Sequence, residues 1–409
     1  MAWLVSKQGV CRPSGQGYPA ICEVGRARPK PERSLTRRVK RASLRETRQG
    51  RRVNTINKMN IRTIDWKNNK VRIIDQTKLP QKLVYVDIDK MEDLGRAIKT
   101  MRVRGAPALG AAAALGVYLG IRNYPGLDWS GFSRKLNAAA KYIAGVRPTA
   151  RNLFWGIEKA CSVALKNNKQ PVSSIKQAIL DEAKRIMRED SFSCRKIGFY
   201  GAKLLKPGSK VLTICNAGIL ATIDYGTALG VIYSAYAQGK KIKVFSCETR
   251  PLLQGSRLSA WELYKQGVDV TMIADNTAAW LIAEKKVDLV ITGADRIAAN
   301  GDSANKIGTL NLAILCKYHK IPFYIAAPGS TFDFKIKSGQ GIKIEMRDKG
   351  EVTNILFKKS IAPPGANAIN PAFDVTAHQL ISAIITDKGI IRPPYIKNIR
   401  RIIGGNECI

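Results

Sequence analysis

The hydrophobic residues of the chain change their spacing twice. In MNIRTIDWKNNKVRIIDQTKLP, residues 59–80, Ile/Thr/Ile/Trp and Val/Ile/Ile runs flank Lys67-Asn68-Asn69, which predicts a β-hairpin opening a domain. From Ile88 to about Arg188 apolar positions recur every three or four residues. MEDLGRAIKTMRV, APALGAAAALGVYLGI, FSRKLNAAAKYIAGV, ARNLFWGIEKACSVALKN and SSIKQAILDEAKRIMRED each read as a helix. Beyond them, short apolar runs bounded by Gly, Pro and Asp alternate with helical segments: KVLTIC, KIKVFSCE, DVTMIAD, VDLVITGAD and IPFYIAAP. Near-continuous apolar strands separated by helices predict a parallel sheet covered on both faces.

The expected fold class is therefore α/β. A mainly helical N-terminal domain with a small β-hairpin, residues 59–190, precedes a Rossmann-like, doubly wound parallel-sheet domain, residues 191–400. Residues 1–58 are expected to be a disordered basic arm, since clustered arginine, Pro, Gly and Ser leave few large apolar side chains. Met59 is an alternative initiator that would make the arm a mis-assigned start.

Composition narrows the function classes. The 409 residues carry a net charge of +37. Residues 1–58 hold 15 Lys/Arg against 3 Asp/Glu, and the remainder is basic as well. Its charges are spread through amphipathic patterns, without a basic stripe interleaved with aromatics, so no specific nucleic-acid partner is expected. An anionic small substrate accounts for the same balance. The segment Gly105–Ile121 is apolar but short of the roughly 20 residues a bilayer asks for, and no membrane span or secretory signal is expected. Eight scattered cysteines without a Cys-x-x-Cys pair suggest free thiols in a reducing compartment and no structural metal.

Candidate chemistry gathers at strand ends, where a doubly wound sheet binds its ligands. Cys215 follows KVLTI, Glu248 follows KVFSC, Asp275 follows DVTMIA and Asp295 follows DLVITGA. Each has a plain reading alone: Asp275 and Asp295 as helix caps, Cys215 as a small core residue. Arg104-Gly105-Ala106-Pro107 and Arg147-Pro148-Thr149 each set an arginine before a helix start, an arrangement suited to phosphate and equally to a surface cap. In GADRIAANGDSANKIGT, Asn300-Gly301 makes a tight turn, Asp302 can orient its neighbours, and Asn305-Lys306 is expected at the start of the next helix. Neither a Walker pattern nor Gly-x-Gly-x-x-Gly is present, so no nucleotide cofactor is expected. His319 and His378 lie away from the strand ends and read as structural. Cys and Asp remain the proton-handling candidates.

RGAPALG, RPTARNLFW, CNAGILAT, ETRPLLQGSRL, GADRIAANGDSANKIGT and FDVTAHQLISAIITDKGIIRPP together resemble the family of methylthioribose-1-phosphate isomerases, which also contains ribose-1,5-bisphosphate isomerases and regulatory subunits of the eukaryotic initiation-factor exchange complex. The resemblance runs from about Met59 to Tyr395. It implies a cytoplasmic homodimer that converts 5-methylthioribose 1-phosphate to 5-methylthioribulose 1-phosphate in methionine salvage, without a metal or organic cofactor. It also implies catalytic roles for Cys215 and Asp295, a pair that the regulatory subunits typically lack. Ligand contacts are implied for Arg104, the Gly105-Ala106 backbone, Arg147, Gln254, Asn305 and Lys306. Phe154, Trp155 and the Ala-rich helix supply apolar surface that favours a methylthio group over a second phosphate. Arg151 departs from the family pattern, where an aliphatic residue is expected.

Overall fold

The structure, a computed structural model, describes residues 60–404 apart from 148–149 and 357–358. The expectations for the arm 1–58 and for Met59 lie outside the described residues. Strands β1 (Ile64–Lys67) and β2 (Lys70–Ile74) form the expected hairpin, with Asn68 and Asn69 both at positive φ, the geometry of a tight primed turn. A third strand, β3 (Tyr85–Ile88), extends it into an antiparallel sheet.

Five helices follow: α1 (Met91–Lys99), α2 (Ala106–Ile121), α3 (Trp129–Val146), α4 (Arg151–Lys166) and α5 (Val172–Gly201). Helix α2 is apolar around its circumference, and it is buried because α3, α4 and α5 surround it. Small residues let α4 approach closely: a Cβ at Gly156 would stand 2.1 Å from the Gly110 carbonyl oxygen. No helix among the described residues is long and apolar enough to cross a membrane. Helix α5 runs without a break through residue 190 and packs its last turns on the sheet region, where Gly198 meets Gly230 and Ser234.

The remainder alternates as the apolar runs predict: β4 (Lys210–Thr213), α6 (Ala228–Ala237), β5 (Lys243–Cys247), α7 (Ala260–Gln266), β6 (Asp269–Ile273), α8 (Thr277–Ala283), β7 (Leu289–Thr292), β8 (Arg296–Ala298), β9 (Ser303–Lys306), α9 (Thr309–Tyr318), β10 (Phe323–Ala326), β11 (Phe332–Asp333), β12 (Phe373–Thr376), β13 (Ala383–Thr386), β14 (Gly389–Ile391) and α10 (Tyr395–Ile402). The main sheet has the order β14-β13-β10-β7-β4-β5-β6, parallel except for the edge strand β14. Its last six members stand in Rossmann order. Alternate residues of one strand enter opposite layers. Val211, Leu289 and Ile291 face α5 and α6, while Leu212, Val290 and Ile325 face α8, α9 and α10. Each such side chain stabilises the sheet by roughly 1.5–3 kcal/mol through its burial. β4 precedes its neighbours on both sides, so the chain reverses its winding between β4 and β7. The crevice beyond their carboxyl ends is where such a sheet takes ligands.

Candidate active site

Cys215 leaves β4 into that crevice with φ +65°, a left-handed conformation that costs a non-glycine residue about 1 kcal/mol or more. Neighbours hold it there. Its N–H donates to Thr249 Oγ1 at 2.8 Å, and its carbonyl accepts from Ser259 Oγ at 2.7 Å. Thr249 is itself at φ +68°, braced by Asp275, whose carboxylate accepts from the N–H groups of Thr249 and Arg250 at 2.8 and 2.7 Å. Asp275 thus shapes the turn that holds Cys215. Neither it nor Glu248 lines the crevice.

The residue after the cysteine joins two parts of the fold. Asn216 accepts from the Arg104 guanidinium through its Oδ1 at 2.7 Å and its carbonyl at 2.8 Å. Its Nδ2 donates to Glu262 at 2.8 Å. Glu262, on α7, is fully buried and accepts three further bonds, from Ile219 N–H, Leu220 N–H and Tyr233 O–H. Burial raises its carboxyl above the usual range, and these donors offset part of that rise. Gly105 follows Arg104 at φ +94°, with Ala221 so close that a Cβ would fall 2.4 Å from its backbone. Only glycine fits there.

Asp295 follows β7 and opens a hairpin, β8–β9, whose second strand the residue pattern predicts as a helix start. Asn305 and Lys306 end β9 rather than start α9. All four residues of β9 are buried, although Ser303, Asn305 and Lys306 are polar. Pairing with β12 keeps them in a strand, and the Asn305 amide fastens the hairpin by donating to Thr292 Oγ1 at 2.6 Å and Thr309 Oγ1 at 3.0 Å. Lys306 is 8% exposed; its Nζ donates to the Ala372 carbonyl at 2.9 Å and sits 4.8 Å from the Phe373 ring centre. Burial lowers the pKa of its ammonium, against the opposing pull of Cys215 and Asp295. Burial raises the Asp295 carboxyl in turn, although Lys306, Arg147 and Arg104 all favour its charged form. Among the described residues no hydrogen-bond donor engages that carboxylate.

Cys215, Asp295, Arg104, Gly105, Ala106, Arg147, Gln254, Asn305 and Lys306 all line one pocket of about 700 Å³, measured out to its open mouth. Two of them carry buried polar atoms without a protein partner, Gln254 Oε1 and Arg147 Nε. Arg147 also pairs with Glu345 at 3.2 Å. Among the described residues no cluster of His, Cys, Asp and Glu could hold a metal ion. The arrangement sets three cationic side chains, Arg104, Arg147 and Lys306, around one cavity with a thiol and a carboxylate.

The profile of the Initiation factor 2 subunit family matches residues 102–393. The chain belongs to that family. Within it, the chain is 50% identical over 85% of its length to 99% of a 5-deoxyribose 1-phosphate isomerase from Moorella thermoacetica. It is 49% identical, over the same share, to the whole of a methylthioribose-1-phosphate isomerase from Geotalea uraniireducens. Among solved structures, 5-methylthioribose 1-phosphate isomerase from Pyrococcus horikoshii superposes with a TM-score of 0.79 at 41% identity, covering 86% of this chain and 98% of that one. A structure described as the translation initiation factor eIF-2B delta subunit from A. fulgidus gives 0.74 at 46% identity, covering 84% and 100%.

Several residues that build the pocket carry little local signal in the sequence. Asn216 lies inside the CNAG block that also holds Cys215, and its place beside the cysteine was the available signal. Glu262 offered none, because an acid within AWELYKQ reads as the solvent face of a helix. Thr249, Ser259 and Glu345 likewise acquire their roles only through tertiary contacts.

Proposed function

We propose that the protein is an aldose–ketose isomerase that converts 5-methylthioribose 1-phosphate to 5-methylthioribulose 1-phosphate, with Cys215 and Asp295 as its acid/base pair. The carrying observation is that the ends of β4 and β7 bring this pair into one pocket with Arg104, Arg147 and Lys306. Relatives of about 50% identity named as isomerases support the reaction class.

The chemistry suits these groups. Opening the ring breaks the C1–O4 bond and requires a proton on O4; hydrogen passes from C2 to C1, and the O2 hydroxyl gives up its proton as C2 becomes a carbonyl. Phosphate stays on C1 throughout. Asp295, protonated to higher pH than an ordinary aspartate, donates to O4 and is recharged by the proton from O2. Cys215 works as the acid/base beside C1–C2. Arg104, Arg147 and Lys306 hold the phosphate. The reading carries with it a homodimer in the cytoplasm, where free thiols persist.

Phosphorus NMR of the purified protein with methylthioribose 1-phosphate, 5-deoxyribose 1-phosphate and ribose 1,5-bisphosphate tests the proposal. Conversion of the first to its ketose is the expected result. Conversion of 5-deoxyribose 1-phosphate alone would keep the reaction and replace the substrate, a reading that the Moorella relative favours. Turnover of none would leave a binding subunit. Light scattering of the same sample checks the dimer.

A further inference from the structure

Helix α5 leaves one face open among the described residues. Phe192 is 57% exposed and Phe199 is 44% exposed, on a helix whose other faces bury Ile179, Ile186, Cys194 and Ile197. Arg188, Phe192, Lys196 and Phe199 follow one another at intervals of three or four residues, and Lys203 continues the row on the turn Ala202–Leu204. At 3.6 residues per turn the five fall within roughly 80° of the helix circumference, along roughly 22 Å of its length. In the linear sequence two or three residues separate each from the next, so the charges read as dispersed. The helix sets them in one stripe.

That stripe alternates cation and ring. Lys196 Nζ stands 4.4 Å from the Phe192 ring centre, and Lys203 Nζ stands 4.6 Å from that of Phe199 and 5.7 Å from that of Tyr200. Among the described residues Arg188, Lys196 and Lys203 form no ion pair, because the nearby acids are engaged elsewhere. Glu189 pairs with Arg185, Asp224 with Arg195 at 2.9 Å, and Asp190 accepts from the Ile223 N–H at 2.8 Å. A second copy of the chain would bring these same cations against one another across a two-fold axis, so the stripe does not complement itself. A lipid surface calls for a helix with rings on one face and cations on another. Here they share one line, which matches a single nucleic-acid strand: its bases offer faces for stacking and its phosphates recur along the backbone.

We propose that the Phe192–Lys203 face of α5 docks single-stranded nucleic acid, with bases stacked on Phe192 and Phe199 and phosphates on Arg188, Lys196 and Lys203. An ammonium over an exposed ring is weakly held, so each lysine exchanges its ring for a phosphate as a base stacks. Stacking tolerates any base, so the absence of a sequence-specific partner stands. No residue of the stripe lines the pocket of Cys215 and Asp295, and the face is independent of the isomerase reading.

The test is fluorescence anisotropy of the full chain with a twelve-nucleotide oligouridylate, the matching oligothymidylate and an abasic strand of equal length, between 50 and 200 mM salt. A chain of net charge +37 attracts all three, so the ratio of base-bearing to abasic affinity is the quantity read. Wild type is expected to favour a base-bearing strand at least tenfold, and the tighter of the two names RNA or DNA as the occupant. The double variant Phe192→Leu, Phe199→Leu keeps apolar bulk and removes both rings. It should erase that preference, a loss of at least about fivefold per stacked base, and bind the abasic strand as wild type does. The double variant Lys196→Gln, Lys203→Gln should lower the slope of log K against log salt by about 1.4, two phosphates at about 0.7 each. Both variants should melt with wild type, since the side chains are exposed. Equal affinity for base-bearing and abasic strands, or a preference that survives loss of both rings, would overturn the site. So would phosphatidylserine vesicle binding that the ring variant loses while it binds every strand like wild type, since the face would then serve a lipid surface.

Discussion

Arg104 is tied twice to Asn216, the residue that follows Cys215, through the Asn216 carbonyl and its Oδ1. A cation from the loop before α2 is thereby fixed to the turn that carries the thiol. Behind Asn216 stands the buried Glu262, which also holds the next turn of chain at Ile219 and Leu220.

Asn216→Ala removes the middle of this relay. Glu262 loses one of its four donors and Arg104 loses one of its two acceptors. We expect a stability loss of about 1–3 kcal/mol, the cost of leaving buried polar groups unpaired. We also expect a rise of about tenfold in KM for the sugar phosphate, since Arg104 is no longer held. Denaturant unfolding and steady-state kinetics read the two effects separately. An unchanged KM would mean that Arg104 is positioned without Asn216.

Gly105 and Gly145 make a contrasting pair. Gly105→Ala puts a methyl group into the Ala221 backbone at a φ that L-residues avoid. We expect at least 2 kcal/mol of destabilisation, roughly the strain of such a backbone position plus the clash, together with lost activity as the 104–107 loop shifts. Gly145 lies near the end of α3, with nothing within 4 Å of a Cβ. Gly145→Ala should stabilise by about 0.5–1 kcal/mol and leave turnover alone. Thermal melts of both variants check the contrast.

Much of this architecture was legible in the sequence, and the losses have physical causes. Helical spacing marked α1 to α5 because each lays a stripe on α2, and α2 itself was visible as an unbroken apolar run. Continuous Val/Ile/Leu runs marked β4, β5, β7 and β10 because both of their faces are buried. Asn305 and Lys306 were assigned to a helix start because Ser-Ala-Asn-Lys shows neither alternation nor an apolar run; pairing with β12, nearly seventy residues later, makes it a strand. The hairpin β13–β14 went unread as part of the main sheet for a similar reason, its partner being the distant β10. Cys215, Asp295, Arg104 and Arg147 stood out by their place after a strand or before a helix. Asp275 stands out in the same way, yet it braces the Thr249 and Arg250 N–H groups instead of lining the crevice; Glu262 does not stand out, because a carboxylate that braces backbone N–H groups looks locally like any surface acid.

Asp190 gives a pH prediction away from the pocket that holds Cys215 and Asp295. Burial is the main cause that raises its carboxyl to about 7, with Asp224 adding to the effect and the Ile223 N–H opposing it. A carboxyl raised in the folded state contributes stability that is fully present below its unfolded value near 4 and is lost as pH rises through about 7. Asp190→Asn keeps an acceptor for the Ile223 N–H and cannot ionise. The variant should therefore gain on wild type between pH 4 and 7, with a constant difference above that. Unfolding free energies of the two proteins at pH 4, 5.5, 7 and 8.5 check it. Parallel curves would show that Asp190 titrates as an ordinary surface acid.

The proposed acid/base pair, Cys215 and Asp295, makes the sharpest demand on the fold. Cys215→Ser preserves the backbone bonds to Thr249 and Ser259 and changes one atom, replacing a thiol with a hydroxyl too weakly acidic for proton exchange near neutral pH. Asp295→Asn keeps the shape of its side chain but cannot donate or accept the proton at O4 and O2. Either change should lower kcat by 10²–10⁴, the range of a general acid or base. Stability should separate the two variants. Cys215→Ser should melt with wild type. Asp295→Asn removes a carboxylate whose charged form is disfavoured by burial even beside Lys306, Arg147 and Arg104, so at pH 7 it should melt at or above wild type. That advantage should shrink as pH falls toward the ordinary carboxyl value, where wild type is protonated in both states. A variant that loses turnover while gaining stability would mark Asp295 as a group kept in an unfavourable place for its chemistry. Substantial residual turnover in both variants would instead remove this pair from the reaction and reduce Cys215 to a strained turn.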